Sequence, residues 1–440
     1  MTKKKLSTSN QGLIKYFKNT IWLLLEKGLR IIEAFFIGIW LARYLGPENF
    51  GILSYSQSFV YLFTAFAALG LDQIVVKELV KNDKKRDEVL GTTFVLRLIG
   101  FFIMFVVLII VLQLTDNSKI TNSIVLIIAT SILFQSLNGI DFYFQSKVLS
   151  KYVVFTNIIV VVVIGLIKVL LIITKSSLIN FAYVYLVETL LTAIGFIICY
   201  RYNKLSLKKW KFRIIVAKEL LKKSWFLIIG SLAAALYMKI DQIMIKEIIN
   251  ERAVGLYSVS VKLSSIWLFV TVAITQSVFP SLVETRKKNR QLFLKKLQLL
   301  YNLLMKIAIV VSILTTIYAD YIVISLFGSK YIESSNILVL YIWSIVFVFL
   351  SNGSWGYYLN ENLEKFSTIR LIIGAIINII LNIYFIELYG LIGAAYATLI
   401  SYSISGYFVN YFFKKTRTNF YLQTKSLINF LNIKTWIRPL

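Results

Sequence analysis

The chain has 440 residues, 58% of them hydrophobic and only 16% charged, with a mean hydropathy of +0.75 and a formal net charge of +27. No soluble core hides that much apolar surface, and three prolines with 20 glycines exclude collagen-like and low-complexity chains, which leaves a polytopic membrane protein. With no histidine and one cysteine, Cys199, the chain lacks His-based acid–base or metal chemistry, disulfides and cysteine clusters, so neither a cofactor nor an enzyme activity is expected.

Apolar runs follow at 19–42, 50–70, 90–112, 120–143, 153–173, 180–200, 224–245, 254–280, 298–318, 334–358, 367–386 and 388–412. Continuous runs of ~20 residues match helices across a ~30 Å hydrocarbon core and exclude the alternating strands of a barrel. Gly46 and Pro47 predict a tight turn between the first two runs. Only Glu387 to Gly390 separate the last two, which predicts a helical hairpin. Residues 1–18 are basic and polar, without a signal-peptide cleavage pattern. Residues 201–223 mix lysines with Leu205, Leu207, Trp210 and Phe212, which predicts a helix lying in the membrane interface; 426–437 has the same character. The expected organisation is an N-terminal lobe over 1–200, an interfacial linker over 201–223, a C-terminal lobe over 224–412 and an amphipathic tail over 413–440.

Orientation follows from Lys and Arg outside the runs, with Arg370 counted to the loop that precedes its run. Thirty-five lie in the termini and even-numbered loops, and six (Arg43, Lys119, Lys175, Lys246, Arg252, Lys330) lie in the others. The alternation supports twelve spans with both termini cytoplasmic. It assigns the basic excess to topology and anionic lipid rather than to nucleic acid. Six spans precede the linker and six follow. At an offset of 204 residues, Phe50-Gly51-Ile52-Leu53-Ser54 aligns with Val254-Gly255-Leu256-Tyr257-Ser258. Two repeats of even helix number share one orientation, which implies a pseudo-two-fold axis along the membrane normal and a central cleft, as in an alternating-access transporter.

Ionisable residues inside the runs include Glu26, Lys27, Arg30, Glu33, Arg97, Lys168, Glu188, Lys239, Asp241, Lys262 and Lys306. Each costs ~2.5–3.5 kcal/mol at mid-helix, so they must pair, snorkel or line water. Lys168 is close enough to its helix end to snorkel. Glu26, Arg30 and Glu33 share one helix face, with Arg30 between two acids. The basic excess (Lys27, Arg30, Arg97, Lys262, Lys306) suits an anionic guest such as a diphosphate. Glu26, Glu33, Asp241 and Glu188 are candidates for carrying a coupling proton or Na⁺; no metal site of another kind is expected.

The stretch Ala42-Arg43-Tyr44-Leu45-Gly46-Pro47-Glu48-Asn49-Phe50-Gly51 resembles a signature of the polysaccharide flippases, the Wzx-type O-antigen and capsule transporters of the MOP superfamily. So do Leu69-Gly70-Leu71-Asp72, Arg97, Asp141 with Phe144-Gln145, Ile240-Asp241-Gln242, Val254-Gly255-Leu256-Tyr257-Ser258 and Phe279-Pro280. The resemblance implies an all-α membrane protein of two six-helix lobes around a cationic cavity. It implies export of undecaprenyl-diphosphate-linked oligosaccharide across the bacterial inner membrane, beside a polysaccharide polymerase and chain-length proteins. Gly46, Pro47, Gly51, Asp72, Asp141, Gly255 and Pro280 are then motif residues of the scaffold. The alternatives are a MATE-type multidrug exporter, which would favour an acidic cavity, and a membrane-bound polymerase or ligase, which would need a large external loop.

Overall fold

The structure, a computed structural model, describes the backbone of residues 2–431 and the side chains from Asn19 to Phe430 other than Thr20 and Leu24; Met1 and 432–440, the end of the basic tail, lie outside the described residues. Among the described residues the regular structure is entirely helical. In hydrocarbon every backbone N–H and C=O needs an internal partner, and a helix supplies it within one segment.

Ten helical segments are long and apolar enough to cross a membrane, but two are too long for one crossing: Ile21–Lys81, with 61 residues, and Glu364–Phe412, with 49. At 1.5 Å per residue the first would span about 90 Å, roughly three hydrocarbon cores. Each contains a glycine outside helical geometry, Gly46 (φ 72°, ψ 171°) and Gly390 (φ 58°, ψ −137°), and the first also turns at Leu69 and Gly70 before the short helix Asp72–Lys81. Positive φ is strained for residues with a Cβ, so positions 46 and 390 favour glycine. After Gly390 the chain doubles back: a side chain on Gly393 would strike the Phe385 carbonyl, and Asn378 donates to Ser401 Oγ at 3.3 Å. The breaks at Gly46 and Gly390 turn ten segments into the twelve stretches expected. Apolar residues face both ways. On Lys151–Ile173, Val160, Ile164 and Ile172 are buried while Val162, Leu166, Leu170 and Ile173 form an exposed stripe at helical spacing, the pattern of a lipid-facing helix.

The chain divides into two compact units, residues 1–45 with 56–232 and residues 46–55 with 233–440. The first has a core around Leu90, Ile140, Phe144 and Tyr200. Residues 201–223 do not form the expected interfacial helix. Leu205, Leu207 and Trp210 pack on this core, and the Trp210 indole donates to Tyr200 at 3.1 Å. Backbone N–H groups of Lys211 and Arg213 donate to the Asp87 carbonyl and to Thr92 Oγ1, at 3.1 and 3.0 Å, over the bare surface of Gly91. From Ile214 the chain is already in the helix Ile214–Ile248, so the expected boundary at 223 falls within a helix, and the units divide farther along it.

In the second unit the two aligned repeat motifs pack against each other. A Cβ on Gly51 would collide with the Glu251 carbonyl, and one on Gly255 with the Pro47 carbonyl. Each glycine thus meets the residue four before the other, a reciprocal crossing of two backbones that only hydrogen side chains permit. Ser54 and Ser258, also related by the offset, are buried beside them. The C-terminal helix Arg417–Leu431 inverts expectation, because its buried face is polar. Gln423 donates to Ser354 Oγ (3.0 Å), the Leu350 carbonyl (3.3 Å) and the Gly406 carbonyl (3.1 Å), and Asn419 donates to Ser354 Oγ (3.0 Å). Gly406 lies in a π-helical turn, Ile404–Phe408, a form that disturbs the regular carbonyl ladder. Tyr421 and Ile428 are left on the exposed face.

Replacing Gly255 with alanine should lower the thermal unfolding midpoint of the solubilised protein, with a cost of about 1–3 kcal/mol for overpacking. Valine at Gly51 or Gly255 should abolish the monodisperse peak in size-exclusion chromatography, whereas alanine at Gly28, which has open space around it, should leave that peak intact.

Candidate functional site

Two polar clusters lie within apolar helices, one in each unit. The first gathers on the N-terminal helix. Exposed Leu25, Leu29, Ile32, Phe36 and Trp40 mark one side of it, and helical periodicity puts Lys27 and Arg30 on the opposite side. Arg30 lies 3.1 Å from Glu188 and 3.7 Å from Glu26, and its side chain is 44% exposed. Glu26 also accepts from Asn157 Nδ2 at 2.9 Å. Glu33 does not flank Arg30 as expected. It binds Lys168 at 2.8 Å, with both side chains about 15% exposed. Lys168 therefore does not snorkel: it is held between Glu33 and the ring of Tyr185, whose hydroxyl accepts from Gln57. Gly165 makes the approach possible, since a Cβ there would press on Ile37. Lys27 is exposed and carries no ion pair among the described residues.

Arg97 is not available to a guest. It is 5% exposed, ion-paired with Asp72, bonded to the Gln135 carbonyl at 2.9 Å and stacked over Phe142. The spacing that suggested a cleft cation instead marks a clamp between the short helix Asp72–Lys81 and the helix Arg86–Gln113. Asp141 accepts from Gln145 at 2.9 Å within its own helix.

The second cluster surrounds Asp241, which is 5% exposed. Asn382 donates to Oδ1 at 2.6 Å, and Thr398 and Tyr257 donate to Oδ2 at 2.7 and 2.8 Å. Asn378 accepts from Asn382 at 3.1 Å, and the Asn382 carbonyl oxygen has no partner among the described residues. These oxygens surround a buried carboxylate with neutral groups only, an arrangement able to hold a proton or a small cation. Sequence reasoning found Asp241 and missed its partners, although Asn378 and Asn382, four apart in an apolar run, were the visible signal. Lys239, two residues away, is half-buried and lies outside this cluster. Lys262 and Lys306 are half-buried in the second unit, Lys262 above the Phe50 ring. Within the first unit Lys27 and Arg30 share a face and Arg97 is sealed elsewhere; within the second, Lys262 and Lys306 stand on separate helices. Pro280 sits within the helix Leu268–Lys288.

The fold of this multi-pass helical chain is that of the MOP superfamily of transporters. It aligns with the lipid II flippase MurJ in an inward closed conformation (TM-score 0.71, 17% identity, 96% of this chain and 94% of that one). It aligns also with an inward-facing MATE multidrug transporter of that superfamily (TM-score 0.64, 12% identity, 93% and 96%). The chain belongs to the polysaccharide biosynthesis protein family, whose model matches residues 16–286, and its resemblance to the MOP-type polysaccharide flippases holds. It is 24% identical to an uncharacterized membrane protein of Methanocaldococcus jannaschii over 94% of this chain and 87% of that protein. It is 25% identical to a probable low-salt glycan biosynthesis flippase, Agl15, of Haloferax volcanii over 46% of this chain and 42% of that protein.

Removing one member of the Lys168–Glu33 pair should cost about 3–5 kcal/mol, because a buried charge is left alone. Lys168→Met should therefore reduce the yield of folded protein more than the double variant Lys168→Met/Glu33→Gln does, as read from thermal unfolding of the purified proteins.

Proposed function

We propose that the protein is a flippase that carries undecaprenyl-diphosphate-linked oligosaccharide across the bacterial inner membrane for surface polysaccharide assembly, by alternating access driven by a proton or Na⁺ gradient. The observation that carries this reading is Arg30. A guanidinium in mid-span avoids lipid, yet Arg30 keeps nearly half of its side chain open while Glu26 and Glu188 hold it. Held from one side and open on another, it can fork onto diphosphate oxygens, with Lys27 adding charge from the same face. Lys262 and Lys306 are the proposed cations of the second unit. The glycan and the polyprenyl chain are carried with the anion, and a polysaccharide polymerase and chain-length protein are the proposed neighbours. The cycle makes and breaks no covalent bond in its cargo.

Asp241 is the proposed coupling group. Glu26, Glu33 and Glu188 are each engaged by a cation, whereas Asp241 meets neutral donors that can rearrange when it takes up H⁺ or Na⁺. The proposed orientation has both termini in the cytoplasm: reporter fusions at Lys85, Lys209 and Lys288 should report cytoplasmic and those at Asn117 and Lys330 external.

In cells lacking the protein, lipid-linked precursor should accumulate on the inner face. Wild type should clear it and Arg30→Ala should not, with Arg30→Lys intermediate. Export restored fully by Arg30→Ala would refute the anion role. In proteoliposomes Asp241→Asn should bind lipid-linked oligosaccharide as wild type does but lose the response to an imposed gradient; a retained response would move coupling elsewhere.

A further inference from the structure

The second unit contains a pocket of about 310 Å³ among the helices Leu268–Lys288, Arg290–Ile317 and Ser344–Asn360, apart from the Asp241 cluster. Its lining repeats at helical spacing: Val272, Thr275, Gln276 and Phe279 on one helix, and Asn352, Trp355 and Gly356 on another. The lining holds no ionisable residue. Trp355 is 49% exposed and lines the same space as two carboxamides, Gln276 and Asn352. Neither Gln276 nor Asn352 has a side-chain hydrogen bond among the described residues, and the Thr275 hydroxyl, which donates to the Thr271 carbonyl at 2.8 Å, keeps its lone pairs for accepting. The helices close around this space through small residues: a Cβ on Gly356 would meet Leu282 at 3.0 Å, and one on Gly353 would meet Tyr301 at 2.8 Å.

We infer that this pocket is a subsite for a neutral pyranose ring of the lipid-linked glycan, an inference that rests on the flippase reading. A sugar ring has an apolar C–H face and a rim of hydroxyls. An exposed indole stacks on the first, and carboxamides, each with donors and an acceptor, pair with adjacent hydroxyls. The volume is at the small end of ligand pockets, which suits one ring rather than a drug or an acyl chain. The absence of charge in the lining offers a diphosphate nothing to pair with, whereas a neutral ring needs no counter-charge. Phe279, in the Phe279-Pro280 motif that the transport reading left without a role, forms part of the apolar wall.

The test compares two probes on the purified full-length protein: lipid-linked oligosaccharide extracted from the membranes of the protein's own host, and undecaprenyl diphosphate without sugar. Wild type should bind the glycosylated lipid more tightly. Trp355→Ala and the double variant Gln276→Ala/Asn352→Ala should each weaken that binding about ten-fold while leaving the affinity for the bare diphosphate unchanged. Trp355→Phe, which keeps an aromatic face, should retain most of the difference. Equal loss for both lipids would mean damage to the fold, and no loss would mean no sugar contact; either overturns the subsite. Wild type that prefers neither probe over a neutral phospholipid would overturn the flippase reading itself, and the subsite with it.

Discussion

The second unit turns on the crossing of Gly51 and Gly255. Lipid tails are as apolar as leucine, so burying side chains does not drive helices together in a membrane; close packing does. Two backbones at this distance place Cα–H groups against carbonyl oxygens, a weak contact that recurs where glycine allows it. The reciprocal contacts with Glu251 and Pro47 set how far each helix extends before the crossing. Gly46 ends the first helix just before it, and Asn250 starts the other by accepting from the Ala253 N–H at 2.9 Å. Residues 46–55 therefore belong with the second unit although the chain on both sides of them belongs to the first.

Charge within the spans is handled in two ways. Lys168 with Glu33, and Arg97 with Asp72, are closed sets whose cations are almost wholly withdrawn from solvent. Such pairs seldom add net stability over apolar residues of similar volume, but each fixes one helix against another because a half-pair is so costly. Arg30 and Asp241 differ from these. Arg30 keeps an open side, and Asp241 has no cation among its hydrogen-bond partners. The functional reading rests on that asymmetry.

The helices and breaks were legible because their causes are local. Apolar length sets a span, Gly46-Pro47 sets a break and Gly390 a reversal, and the repeat at offset 204 brought together the two motifs that touch. The pairings were not legible. Glu33 is 135 residues from Lys168, and Arg30 is 158 from Glu188, so helical spacing offered Arg30 to Glu33 and could not show that both had better partners elsewhere. Arg97 misled for the same reason, since an arginine in an apolar run gives no sign of the aspartate that covers it. Residues 201–223 misled because an apolar side suits a protein core as well as a membrane interface, and Trp210 found the core.

The polar inner face of the helix Arg417–Leu431 has a consequence for biogenesis. Its amides find their partners on Leu350, Ser354, Gly406 and Tyr301, which come from three earlier helical segments. Before those segments have assembled the helix has no dry surface to join, and its amides stay hydrated. Its docking is thus ordered by the chain itself as a late step, and a second unit assembled wrongly would leave those amides without their partners.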